Sequence, residues 1–143
     1  MPGRRLGAAG EPLRILVTGW RDWPLGAAGF IESALSAAWP AGLDPGQLVV
    51  VHGRCPYGGV DLYADRWART CQVPIEEHPA DWARHGKAAG MLRNSEMVKP
   101  GADLCLGFPG PGSRGTWDCL RKAVDAGIRT EIYGWHGGLV SSD

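Results

Sequence analysis

Strand-like apolar runs that break off at a glycine alternate with helix-length segments along this chain, and that alternation most narrows what it can fold into. Arg14-Ile15-Leu16-Val17-Thr18 ends at Gly19, and Leu48-Val49-Val50-Val51-His52 ends at Gly53. Both have the unbroken, β-branched character of strands buried on two faces of a parallel sheet. Ala102-Asp103-Leu104-Cys105-Leu106-Gly107 is a third such run, with Val73–His78 and Arg129–Tyr133 as weaker ones. Helix-length segments lie between them at Gly29–Trp39, Val60–Cys71, Lys87–Val98 and Thr116–Ala126. In the second, Leu62, Ala64, Trp67, Ala68 and Cys71 recur at mixed three- and four-residue spacings, opposite a face carrying Asp61, Asp65, Arg66 and Arg69. Strict alternation of this kind predicts an α/β fold with a doubly wound, mainly parallel sheet of about five strands flanked by helices.

The 143 residues suffice for one domain, expected over 13–135, with a flexible N-terminal tail at 1–12 and a C-terminal tail at 136–143. Lys and Arg number 15, as do Asp and Glu, and the pI is near 6.9, which argues against a duplex-DNA or anionic-membrane partner. No run reaches the roughly 18 apolar residues of a membrane span and the first residues lack a signal-peptide core, so a cytoplasmic setting is expected. Cys55, Cys71, Cys105 and Cys119 include no C-x-x-C pair. His52 and Cys55 have a ligand-like spacing but no second ligand pair, so reduced thiols are expected, with no metal and no cofactor. The apolar, Trp-rich composition permits a homodimer.

In doubly wound sheets the ligand crevice lies outside the carboxyl ends of the strands. Thr18, Gly19, Arg21 and Asp22 follow the first strand here; His52, Gly53, Gly58, Gly59 and Asp61 follow the second. After the third comes Gly107-Phe108-Pro109-Gly110-Pro111-Gly112-Ser113-Arg114-Gly115-Thr116. Glycines let backbone N–H groups converge there, and the helix behind presents its positive end to an anion. Arg114 and Thr116 offer a guanidinium fork and a hydroxyl. The loop matches neither G-x-x-x-x-G-K-[ST] nor G-x-G-x-x-G, so it is read as a phosphate cradle of another kind. Its ligand-binding set is Pro109, Gly110, Gly112, Ser113, Arg114, Gly115 and Thr116.

Several ordered motifs carry a resemblance. They are Val17-Thr18-Gly19-Trp20-Arg21-Asp22-Trp23, His52-Gly53-Arg54-Cys55-Pro56-Tyr57-Gly58-Gly59-Val60-Asp61 and Ala64-Asp65-Arg66-Trp67-Ala68. Pro79-Ala80-Asp81-Trp82, Gly86-Lys87-Ala88-Ala89-Gly90, Arg93-Asn94 and Met97 follow, then Phe108-Pro109-Gly110 and Arg114-Gly115-Thr116. Over about Leu13 to Tyr133 the chain resembles the YspA-like, cpYpsA-related branch of the SLOG superfamily, found in actinobacteria and their phages. The resemblance implies a Rossmann-like fold and a site for a nucleotide or nucleotide-derived ligand.

The wider superfamily holds cytokinin-activating nucleoside-monophosphate phosphoribohydrolases, DNA-processing proteins that bind single strands, and sensors of cyclic ADP-ribose-type signals. The phosphoribohydrolases resemble this chain in an Arg-x-x-x-Met element, matched by Arg93 and Met97, and in a Pro-Gly-Gly-x-Gly-Thr-x-x-Glu loop. Here that loop is lengthened and Cys119 stands where the catalytic glutamate would be. A thiol is a poor substitute for a carboxylate that stabilises an oxocarbenium-like centre. Arg93 and Asp118 are the catalytic candidates, with Asp22 and Asp61 as rival carboxylates. Arg93 and Asn94 are also expected to bind ligand. Trp20, Trp23 and Trp82 are placed to stack on a base, with core or rim packing the commoner fate of tryptophan.

Three functions stand against one another. The first is a sensor or sequestering domain for a phosphorylated nucleoside or ADP-ribose-like molecule. The second is an N-glycosidase of nucleoside phosphates, and the third is a single-stranded nucleic-acid binder, which neutral charge disfavours.

Overall fold

The computed structural model describes residues 11–136 and 139–142, so residues 1–10 of the expected N-terminal tail lie outside the described residues. The fold is α/β: a six-stranded, mostly parallel sheet with helices on both faces. The strands are β1 (Leu13–Gly19), β2 (Leu48–His52), β3 (Ile75–Glu77), β4 (Leu104–Phe108), β5 (Thr130–Tyr133) and β6 (Leu139–Ser142). Their spatial order is β3-β2-β1-β4-β5-β6, parallel throughout except for β6, which runs antiparallel to β5.

The helices are α1 (Ala28–Ala38), α2 (Val60–Thr70), α3 (Trp82–His85), α4 (Ala89–Val98) and α5 (Arg114–Asp125). Strand periodicity divides the core between two helical layers. Ile15, Val17, Val50, Leu106 and Phe108 pack with Ile31 and Leu35 of α1 and Val60, Ala64 and Trp67 of α2. Leu16, Val49, Val51 and Cys105 point the other way, onto Met97 and Val98 of α4 and Cys119, Leu120 and Ala123 of α5. A two-residue side-chain period produces this split from uninterrupted apolar runs. Each fully buried Leu or Ile contributes about 1.5–3 kcal/mol.

The structure adds to the elements expected from the sequence. The sheet has a sixth strand, formed by residues of the segment read as a C-terminal tail: Leu139–Ser142 pairs with β5 at Glu131↔Ser142 and Ile132↔Ser141. Only Leu139 and Val140 are apolar there, and both stay exposed, so hydrophobic pattern gave no strand signal. The stretch before α4 also holds the short helix α3, capped by the Asp81 carboxylate, which accepts from the Arg84 N–H at 3.1 Å. Helix α5 begins at Arg114, two residues before the expected start, which brings the arginine into its first turn.

The chain visits β1, β2 and β3 in one direction and then crosses to β4 on the other side of β1. Strand order therefore reverses between β1 and β4, and the carboxyl ends of these two strands open a crevice. No helix among the described residues is long and apolar enough to cross a membrane.

Candidate functional site

Two clefts open at that edge of the sheet. The smaller, about 410 Å³, lies over the ends of β1 and β4 and receives the N-terminus of α5. Thr18, Gly19, Arg21 and Asp22 form one wall, Gly112, Ser113, Arg114, Gly115 and Thr116 the other, with Gly53, Asp61, Arg93 and Asn94 at the back. The larger, about 850 Å³, lies over the end of β2 and takes in His52, Arg54, Cys55, Tyr57, Gly58, Asp65 and Trp82. Both volumes fall in the range of small-molecule sites. Arg21, Cys55, Asp61 and Arg93 line both clefts and form the seam between them.

Most of the strand-end residues expected to meet a ligand are thus brought together. Gly59, Pro109, Gly110 and Asp118 line neither cleft. A Cβ on Gly110 would lie 2.1 Å from the Trp20 ring, and one on Gly59 would lie 2.4 Å from the Arg21 carbonyl oxygen. Both glycines leave room that neighbouring groups occupy. Within the loop, Ser113 Oγ bonds both the N–H and the carbonyl of Gly110, at 3.0 and 2.8 Å, fixing the turn that delivers Arg114 to α5.

Asp118 is held elsewhere by the phase of its helix. Its carboxylate is nearly fully buried and accepts from Asn94 Nδ2 at 3.1 Å, Lys122 Nζ at 2.8 Å and Arg121 at 2.8 Å. Burial would raise its pKa, but the bonds from Lys122 and Asn94 outweigh that and hold it below the usual carboxylate range. It works as a clamp between α4 and α5. Asn94, itself buried, also donates to the Gly115 carbonyl at 3.0 Å and accepts from Arg93 Nε at 3.0 Å. The arginine is aimed at the seam by its neighbour, and its NH1 donates to the Gly53 carbonyl. A Cβ on Gly53 would sit 2.3 Å from that guanidinium nitrogen, so the glycine leaves the room in which Arg93 lies.

Asp61, in the first turn of α2, is the carboxylate that reaches the seam. It is 7% exposed and accepts from the Cys55 N–H at 3.1 Å. Burial pushes its pKa up, against the opposing pull of His52, Arg93 and the Cys55 and Gly53 N–H groups. A raised carboxyl in a cleft is a feature of acid–base sites as well as of buried ion pairs. Cys119, at the position matched to the glutamate of the phosphoribohydrolase loop, is fully buried; burial pushes its thiol up to about 11, against a hydrogen bond with Thr18. It is a packing residue.

His52 is also buried. Nδ1 accepts from the Arg54 N–H at 3.0 Å and Nε2 lies 2.9 Å from Asp65 Oδ1, which places the ring proton on Nε2 in the neutral form. Arg54 has φ of 46°, a left-handed conformation uncommon for a side chain of its kind. His52, Asp65 and Glu77 bring ligand-type atoms within 4.8 Å of one another. Arg69 and Arg54 already neutralise those carboxylates, through Arg69 Nε to Asp65 at 2.7 Å and Arg54 NH1 to Glu77 at 2.9 Å. The cluster is an ion-pair network that braces α2 against β2 and β3.

The three tryptophans separate. Trp23 is 2% exposed and packs edge-on against Phe108 in the core. Trp20 is half-buried against Gly110 and Trp135. Trp82 stays 51% exposed on the wall of the larger cleft, which is lined also by Tyr57, a residue the sequence did not single out. Its neighbours Cys55-Pro56 and Gly58-Gly59 read as turn punctuation, and exposure is not a property of a sequence pattern.

The chain is 44% identical over 131 residues to the Gene 61 protein of Mycobacterium phage D29, covering 85% of this chain and 96% of that protein. The sequence model of the YspA, cpYpsA-related SLOG family matches residues 13–85, the stretch that runs from β1 to α3 and supplies the seam residues Arg21, Cys55 and Asp61. With β1 to α3 matched to the family and most of the chain matched to the phage protein, this chain belongs to the YspA, cpYpsA-related SLOG family.

Proposed function

We propose that this SLOG domain binds a phosphorylated nucleoside or an ADP-ribose-like nucleotide and holds it without turnover, as a sensor or a sequestering protein. The observation that carries the reading is the smaller cleft, where the first turn of α5, Arg114 and Thr116 face Thr18 and Arg21 across the switch point of the sheet. An anion there meets a helix N-terminus and guanidinium groups from two sides. The whole chain is electrically neutral, so this is a local site and not a general polyanion surface.

Hydrolysis of an N-glycosidic bond is the second reading, and Asp61 is the observation that favours it. A buried carboxyl group at the seam, beside Arg93, whose pKa burial pushes up is a candidate to protonate a departing base. Asp118, committed to Lys122 and Arg121, is not. Native mass spectrometry of the purified protein with nucleoside monophosphates, ADP-ribose and cyclic ADP-ribose isomers, with free base followed in parallel, separates the two. Intact bound ligand without base release supports the binding reading. Catalytic release of base, lost in Asp61→Asn, replaces it with the hydrolase; binding of nothing in the panel refutes both.

A further inference from the structure

We propose that the larger cleft seats the aromatic base of the ligand, held between Tyr57 and Trp82, with the phosphate in the smaller cleft and the ribose across the seam. This deepens the nucleotide-binding reading and rests on it. Two bulky aromatic side chains are left 72% and 51% exposed, and both stand on the walls of one cleft. Ring faces left open in this way gain from covering by a flat apolar partner, and every nucleobase offers one.

Both rings are positioned before any ligand arrives. The Arg21 guanidinium lies 5.1 Å from the centre of the Tyr57 ring, a cation–π contact that fixes the ring relative to the seam. Trp82 opens α3, whose first turn is capped by Asp81, and its ring lies over Gly90, where a Cβ would stand 3.5 Å from it. Leu62 and Pro79 add to an apolar lining that the smaller cleft lacks, although arginines line both clefts. Apolar aromatic space at one end and anion-binding groups at the other match the two ends of a nucleotide. The seam residues Asp61 and Arg93 then meet the sugar, which presents hydroxyl groups to a carboxyl and a guanidinium.

Calorimetric titration with AMP, GMP, CMP, UMP and ADP-ribose, and with ribose 5-phosphate as the ligand lacking a base, tests the assignment. Trp82→Ala and Tyr57→Ala should each weaken the tightest-binding nucleotide by about 10-fold, the scale of a lost base–aromatic stack. Ribose 5-phosphate should bind the variants as it binds the wild type, Trp82→Phe should restore nucleotide affinity, and Arg114→Ala should weaken both ligand types. Wild-type nucleotide affinity in both alanine variants overturns the base cleft and leaves nucleotide binding standing. Equal loss of ribose 5-phosphate and nucleotide also overturns it, since the aromatics would then shape the cleft without meeting the base. No binding of any probe by the wild type refutes the nucleotide reading itself and the base cleft with it.

Discussion

Replacing Gly53 by alanine places a methyl group where the Arg93 guanidinium lies. The new Cβ would meet NH1 at 2.3 Å and Cζ at 2.7 Å, well inside van der Waals contact, so the guanidinium must withdraw. Withdrawal breaks its bond to the Gly53 carbonyl, a charged-donor hydrogen bond of about 1.5–3 kcal/mol. Alanine returns about 0.4–1 kcal/mol by restricting the unfolded chain, because Gly53 does not occupy the left-handed region. The net cost is about 1–2 kcal/mol, read as a shift of the urea midpoint by tryptophan fluorescence. Ligand affinity should fall more sharply than stability, since Arg93 leaves the seam. The test is a double-mutant cycle. In an Arg93→Ala background the obstacle is gone, and Gly53→Ala should be neutral or stabilising by about 0.4–1 kcal/mol. An unchanged Gly53→Ala cost in that background refutes the reasoning, because the clash would then lie with something other than Arg93.

Gly59→Ala should be the harsher change, costing about 3 kcal/mol or more in the same urea assay: φ of 74° and ψ of −147° favour glycine, and its Cβ would strike Arg21 backbone atoms that have no rotamer to retreat into. Asp118→Asn should cost about 1.5–3 kcal/mol at pH 7 by weakening the hydrogen bonds that a buried carboxylate accepts from the partly exposed Lys122 and Arg121. Because Asp118 has a lowered folded pKa, its contribution is present above the unfolded value of 3.8 and lost as pH falls through the folded one, so the wild-type advantage should shrink in denaturation curves below pH 4. Asp61 has the opposite sign: its raised pKa gives stability that is full below 3.8 and lost as pH rises through the folded value. Asp61→Asn should therefore raise Tm at pH 7 and give no gain near pH 3, and a lower Tm at pH 7 would refute the sign. Leu120→Ala, beneath the close approach of α5 to Gly107, should cost about 2–5 kcal/mol in the urea assay.

Buried parallel strands write themselves plainly into a chain, which is why β1, β2 and β4 were legible from short apolar runs. Helix α3 was not, because four residues held by one aspartate cap make no periodic pattern. The rule that ligands gather beyond strand ends picked out Thr18, Arg21, Asp61 and the α5 loop, which line the clefts. It could not tell the glycines apart. Gly59 and Gly110 carry the same sequence signal, and only packing shows that the Arg21 backbone crowds one and the Trp20 ring the other. Asp118 lines neither cleft for a reason of phase: one step along α5 from Cys119 turns its side chain toward Asn94 and Lys122.

The central place of β1 also matters while the chain is being made. Residues 13–77 complete β1 to β3 with α1 and α2 on one face, but the partner of β1 on its other edge begins only at Leu104. Until α4, β4 and α5 follow, Leu16, Val49 and Val51 lie uncovered on the opposite face, and β1 presents a row of unpaired backbone groups. A ribosome-bound half-molecule of this kind carries a sticky surface and an open sheet edge at once. The crossover through α4 that builds the ligand crevice is the same step that ends this exposure, so the chain passes through its most aggregation-prone stage just before its binding site exists.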